Sequence, residues 1–97
     1  MSTYIILANY TQKGIESIKE SPKRLDSAKS FFREMGAEIK DFFLVQGRYD
    51  IVIIAEVPND ETASKLALAI GSLGNVRTET LRAHTETDFR NLIATLP

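Results

Sequence analysis

Between Tyr49 and Val57 the chain reads YDIVIIAEV, and this segment constrains the fold more than any other. An extended strand sends successive side chains to opposite faces. Tyr49, Ile51, Ile53, Ala55 and Val57 therefore fall on one side, and Asp50, Val52, Ile54 and Glu56 on the other. A sheet with one wet face is apolar on the other face alone. Here the first side is the natural seat for helices, yet Val52 and Ile54 sit in the middle of the second. Both faces need a cover, and one chain with few helices can supply only one of them.

The segments around this strand complete a pattern. Thr3 to Tyr10, TYIILANY, has the aromatic and β-branched content of a first strand. Thr11 to Glu20 is polar with Gly14 inside and reads as a loop or a single helical turn. The stretch SPKRLDSAKSFFREMG then opens a helix, with Ser21 as N-cap and Pro22 at the first helical position, and Gly36 ends it. Leu25, Ala28, Phe32 and Met35 form its apolar stripe.

Ala37 to Gln46 is a second strand, joined by a tight connection at Gly47 and Arg48 to the strand Tyr49–Val57. Phe42 and Leu44 join the second apolar face if these two strands pair in matching phase. Pro58, Asn59 and Asp60 break the pattern and cap a second helix marked by Ala63, Leu66, Ala67, Ile70 and Leu73. Gly74 and Asn75 stop it. Val76 to Ala83 reads as an edge strand. Thr85 and Asp88 form a capping box for a last short helix lined by Phe89, Leu92, Ile93 and Leu96.

The order is β-α-β-β-α-β plus a terminal helix, an α+β arrangement of the ferredoxin-like kind in one domain over residues 1–97. Right-handed crossovers place the first and third strands centrally, and the charged second and fourth strands at the edges. With both helices on one face, the side bearing Val52 and Ile54 stays bare. A bare apolar sheet face marks an interface, so a second copy is expected to cover it by face-to-face packing in a C2 dimer. A chain of 97 residues has a modest core of its own, and such pairing adds to it.

Composition removes several functional classes. The net charge is -1, which offers no field for holding nucleic acid. No cysteine is present, so disulfide scaffolds, thiolate metal sites and cysteine nucleophiles are excluded. No apolar run reaches membrane-spanning length, and MSTYIILANYT has neither a basic leader nor a cleavage site, so a cytoplasmic protein is expected. LGNVRTE follows a helix and precedes a strand, the reverse of a dinucleotide fingerprint, and neither a Walker sequence nor a serine elbow occurs.

Three stretches carry a resemblance. The G-x-Y-D arrangement of Gly47, Tyr49 and Asp50, the run NDETASKLALAIGSLGNVRTETLRAHT and the opening YIILANYTQKGIESIKESPKRLDSAK together resemble a GYD domain protein of the dimeric α/β barrel superfamily. The resemblance spans essentially the whole chain. It implies a ferredoxin-like subunit paired into an eight-stranded barrel, in line with the bare-face argument. Superfamily relatives include cofactor-free monooxygenases, haem-binding enzymes, muconolactone isomerase-like proteins and the sensing domains of Lrp-like regulators, so the fold alone assigns no activity.

The candidate site residues follow from face and chemistry. Arg48 and Asp50 lie two apart and point to the bare side, where they pair with each other or hold a polar ligand. The structural alternative has Gly47 at positive φ, Asp50 bonding the turn backbone and the Tyr49 ring packed under the second helix. His84 is the one histidine and the best general base by pKa, in phase with Arg82, Thr80 and Thr78. Tyr4 and Tyr10 share a phase and offer phenols to the inter-sheet space. No second histidine exists for a metal site, and no cofactor is expected.

The expected function is a homo-oligomeric protein holding a small, partly apolar molecule between or beside its paired sheets. The alternative is a cofactor-free enzyme of monooxygenase or isomerase type using the same cavity. His84, Asp50 or Tyr10 would move a proton, Arg48 or Arg82 would stabilise an anion, and Tyr4 and Tyr49 would line the ligand. A ligand-sensing or assembly protein is the third reading.

Overall fold

The computed structural model describes residues Met1–Pro97. Its elements are β1 (Ser2–Tyr10), α1 (Gln12–Glu16), a 3-10 turn (Ile18–Glu20), α2 (Ser21–Glu34), β2 (Glu38–Leu44), β3 (Ile51–Val57), α3 (Asp60–Ser72), β4 (Val76–Ala83) and α4 (Glu86–Ala94). The strands form one antiparallel sheet in the order β2-β3-β1-β4, with the two most apolar strands inside. This is the ferredoxin-like α+β arrangement expected from the sequence. No helix is long and apolar enough to cross a membrane.

Local chemistry accounts for most boundaries. Asn59 caps α3 by accepting from the Thr62 amide at 2.9 Å, and Thr85 and Asp88 form a reciprocal capping box on α4. Gly36 and Gly74 leave α2 and α3 at φ of +76° and +81°, a region open to glycine at little cost. Ser21 departs from expectation. The 3-10 turn runs straight into α2, so the Ser21 backbone is already helical and Glu20 holds the cap position. The Ser21 hydroxyl instead meets the Tyr10 phenol at 2.8 Å.

The core lies between the sheet and α2 and α3, built around Tyr4, Phe32, Ala55, Val57 and Leu66. The β1–β3 register sets Tyr4 opposite Ala55, Ile6 opposite Ile53 and Ala8 opposite Ile51, so these rows form the helix-side face. The phase deduced for Ile51, Ile53, Ala55 and Val57 is the observed one.

Strand β2 differs from the expected phase. A register shift between Ile39 and Asp41 puts Phe42 opposite Ile53 and Leu44 opposite Ile51, both on the helix side. Phe43, opposite Val52, takes the place on the bare face. A bulge inverts the alternation of everything beyond it, and Lys40 occupies that position. The hairpin connection also runs longer than a tight two-residue turn, from Val45 to Asp50, with Gly47 at φ +126°.

The molecule measures 52 × 31 × 18 Å and its radius of gyration is 14.6 Å. A compact chain of this length has about 12.5 Å. The excess comes with α4, which alone among the α-helices buries no residue.

Candidate functional site

Three features carry functional potential: the bare face, a cavity on the helix side, and the Gly47–Asp50 connection. The bare face is a grid. Glu79, Leu7, Val52 and Phe43 form one row across the four strands, and Leu81, Ile5, Ile54 and Asp41 form the next. Six of these eight side chains are apolar; Phe43 is 52% and Leu81 42% exposed. Thr3, Glu56 and Glu38 bound the patch at one end, with the Thr3 hydroxyl donating to Glu56 at 3.0 Å. The middle of the face, on β1 and β3, is apolar, and the charged groups Glu79, Asp41 and Glu38 stand on the edge strands.

The cavity lies between the sheet and the helix pair and has a volume of about 120 Å³. Ile6, Ile53, Leu25, Ala28, Ala67 and Ile70 are among its apolar walls. Tyr10, Ser21, Arg24, Asn75 and Thr78 bring polar atoms to it. The Arg24 guanidinium is itself committed, donating to the Ser17 carbonyl at 3.0 Å and the Gly14 carbonyl at 3.3 Å. With a third bond to the Ser17 hydroxyl at 3.1 Å, these contacts hold the α1 region against α2.

Tyr4 and Tyr10 do share a face, but it is the helix side: both line this cavity and neither reaches the bare face. The pairing of Tyr4 with Ala55, a residue fully buried under the helices, fixes that orientation. The Tyr4 phenol donates to the Asp60 carboxylate at the start of α3. That hydrogen bond holds the phenol above the usual tyrosine range; burial and the Asp60 charge add to the shift, and the Arg82 charge opposes it. Arg82 stands 5.7 Å from the Tyr4 ring centre, a cation-π distance.

A pH dependence follows from Tyr4. The unfolded chain releases this proton near pH 10 and the folded chain only at higher pH. Above about pH 10 the unfolded state binds fewer protons, so stability falls as pH rises towards the folded-state value and is unaffected below pH 10. Urea midpoints from about pH 8 to about pH 11 should fall more steeply for the native protein than for Tyr4→Phe. Parallel slopes would remove Tyr4 as the cause.

The Gly47–Asp50 connection resolves the role of its members. Asp50 accepts from the Tyr10 amide at 3.0 Å, and its own amide donates to the Ala8 carbonyl at 3.0 Å. The carboxylate therefore extends the β1–β3 ladder into the connection, and no Arg48–Asp50 ion pair forms. Arg48 is exposed, 6.0 Å from the Tyr49 ring centre. Tyr49 does not pack under α3. Its hydroxyl donates to Glu79 at 3.3 Å, and Glu79 belongs to the bare-face row of Leu7 and Val52. β3 begins only at Ile51, so strand alternation does not extend back to Tyr49, and its ring swings across the end of the grid.

His84 is exposed and lies beyond the end of β4, next to Ala83, which pairs with Thr3 at the start of β1. Asp50 and Tyr10 stand at the opposite end of β1. At about 3.3 Å per residue that separation is on the order of 20 Å. The structure joins Asp50 to the Tyr10 backbone and Arg82 to Tyr4; His84 lies at the Tyr4 end of the sheet, two residues after Arg82, and far from the Asp50–Tyr10 pair. Nowhere do three metal-ligating side chains converge.

No local sequence pattern marks the cavity or the tight site at Gly14. An added Cβ at Gly14 would lie 2.1 Å from the Asn75 carbonyl oxygen. A glycine within an otherwise polar turn is the one available signal.

Comparison with known proteins gives consistent results. The sequence pattern described as GYD domain matches residues 4–93. A protein of Thermus thermophilus named "Glutamine synthetase and cystathionine beta-lyase binding protein" is 32% identical over 84 residues, covering 86% of this chain and 88% of its own. A crystal structure of a protein from the same organism superposes with a TM-score of 0.56 at 24% identity, covering 88% of this chain and 95% of its own. That likeness shows the shared fold.

Proposed function

The chain belongs to the GYD domain family, and on that premise we propose that it is a self-associating protein-binding module. Two copies pair through the bare sheet face, and the assembled unit engages a protein partner. The observation that carries the reading is the grid of Ile5, Leu7, Phe43, Val52, Ile54 and Leu81, which no part of the chain covers. The relative from Thermus thermophilus is named for binding two enzymes, which supports a metabolic enzyme as the class of partner. A cytoplasmic site of action belongs to the same reading.

Pairing buries the grid and leaves the outer surfaces of α2 and α3 free for the partner. Native mass spectrometry of the purified protein tests the first step, with the mass of two chains, or a multiple of two, as the expected result. A spectrum of single chains at micromolar concentration would overturn it.

A second reading, small-molecule binding, is favoured by the cavity. A void of about 120 Å³ with apolar walls is close to the size that accepts a benzene-sized guest. The Tyr10–Ser21 hydroxyl pair and Thr78 suit a guest with one hydrogen-bonding end. On this reading the molecule lies beside the sheet, under the helices, and away from the proposed subunit seam. Mass retained on each chain in the same spectrum supports this reading, and bare chains count against it.

A further inference from the structure

Helix α4 presents an unsolved packing problem. Its nine residues are fewer than the twelve to fifteen or so at which isolated helices become even marginal in water. The capping box at Thr85 and Asp88 and the Glu86–Arg90 ion pair support it locally, yet exposed pairs of this kind contribute a few tenths of a kcal/mol at most. Stability for so short a helix must come from burying its apolar stripe. Phe89, Leu92 and Ile93 form that stripe at i, i+3 and i+4 and remain 57%, 50% and 51% exposed, and Leu96, just beyond the helix end, is 65% exposed.

The place of α4 narrows what covers the stripe. Only His84 and Thr85 separate it from β4, whose last bare-face residues are Leu81 and Ala83. Along the chain, the bare-face residues of the edge strand are therefore followed within a few positions by the apolar stripe of α4. The helix side of the sheet is already taken by α2 and α3, so the bare side is the one with apolar surface left for α4 to join.

Area points the same way. Four strands at about 4.8 Å and three same-face rows at about 6.8 Å give the grid a flat footprint of about 400 Å². A stable pair of proteins buries about 800 Å² on each partner. Side-chain relief raises the accessible area of the grid above its flat footprint but leaves it short of that figure, and the exposed stripe of α4 is the apolar surface nearest to it along the chain.

We infer that α4 is an arm that crosses the rim and lays Phe89, Leu92, Ile93 and Leu96 on a second copy of this chain. The inference rests on the sheet pairing proposed above and extends it: each subunit is held by its neighbour's arm as well as by the grid. The arm contributes nothing to its own subunit's core, so its loss weakens assembly and spares folding.

The chain has no cysteine and no tryptophan, and a benzophenone-bearing amino acid at position 89 substitutes an aromatic ring for the Phe89 ring. Irradiation of the pure protein should give a covalent dimer on a denaturing gel. The double variant Leu92→Ser/Ile93→Ser should keep the native circular dichroism spectrum and raise the dimer dissociation constant about 100-fold or more. Crosslinks confined to one chain, or an unchanged dissociation constant in the double variant, would overturn the arm while leaving the sheet pairing intact. A native protein that is monomeric before any substitution would remove both.

Discussion

On the proposed sheet pairing, Val52→Asp should turn a dimer into a monomer that is still folded. Val52 stands on a central strand in the middle of the bare face, between Leu7 and Phe43. In a C2 pair every substitution enters the interface twice. Each aspartate would lose its hydration against the apolar neighbours Leu7 and Phe43, and the one cation that the β4 register puts on this face, Arg77, stands two strands away beside Asn9. An uncompensated buried carboxylate costs about 3 to 5 kcal/mol. The dissociation constant should rise about 1,000-fold or more, and sedimentation at micromolar concentration should show single chains.

The fold itself has less at stake at this position. The side chain is half-buried in one subunit, and an exposed-face change in strand preference is worth up to about 1 kcal/mol. Val52→Thr keeps the shape and the strand preference without the charge, and should remain dimeric. A Val52→Asp protein that stays dimeric would show that the grid is not the interface. Unfolding of Val52→Asp with Val52→Thr also unfolded would place Val52 in the subunit's own core instead.

The second large effect concerns a glycine beside the cavity, against Asn75 and Tyr10. Gly14→Ala is expected to destabilise the protein by about 2 to 3 kcal/mol. In α1 alone, alanine would gain about 1 kcal/mol over glycine. The added methyl would instead lie 2.1 Å from the Asn75 carbonyl oxygen and 3.0 Å from its carbon, a backbone group and not a side chain that can turn away. That carbonyl already accepts from the Thr11 amide at 3.1 Å, and the same junction holds the Thr11 hydroxyl to the Gly74 carbonyl at 2.5 Å and Lys13 to the Leu73 carbonyl at 2.8 Å. Relief of the clash has to break this set.

Gly71→Ala is the control, because nothing lies within 4 Å of the methyl it adds to α3. It should stabilise by about 0.5 to 1 kcal/mol. Urea unfolding of the two variants should therefore move in opposite directions. Equal shifts would mean that α1 moves freely off the α3–β4 junction.

These examples separate what a linear reading reaches from what it misses. The bounds of β4, the cap at Asn59, the box at Thr85 and Asp88 and the two faces of β3 depend on residues within a few positions of one another, and all were legible. The face of Phe42 and Phe43 was not, because a bulge belongs to a pair of strands and Lys40 has no sequence mark of it. Ser21 had the chemistry of a cap, and a 3-10 turn upstream displaced the helix start. The tightness at Gly14 arises from Asn75, 61 positions further along, which no local pattern encodes. Among the site candidates, the common face of Tyr4 and Tyr10 was legible, whereas which side the helices would take at that face needed the register with Ala55.

The strand order carries a consequence for how the chain is made. β1 is synthesised early and ends up in the centre, yet its two neighbours are β3 and β4, with Thr3 opposite both Glu56 and Ala83. An apolar strand thus waits without a partner until β3 and then β4 have left the ribosome, and pairings this distant in sequence close slowly. During that interval Ile5, Ile6 and Leu7 are open to chaperones and to other nascent chains. Slowing translation across α3 would lengthen this exposure, whereas α4 emerges only when the sheet can already be complete.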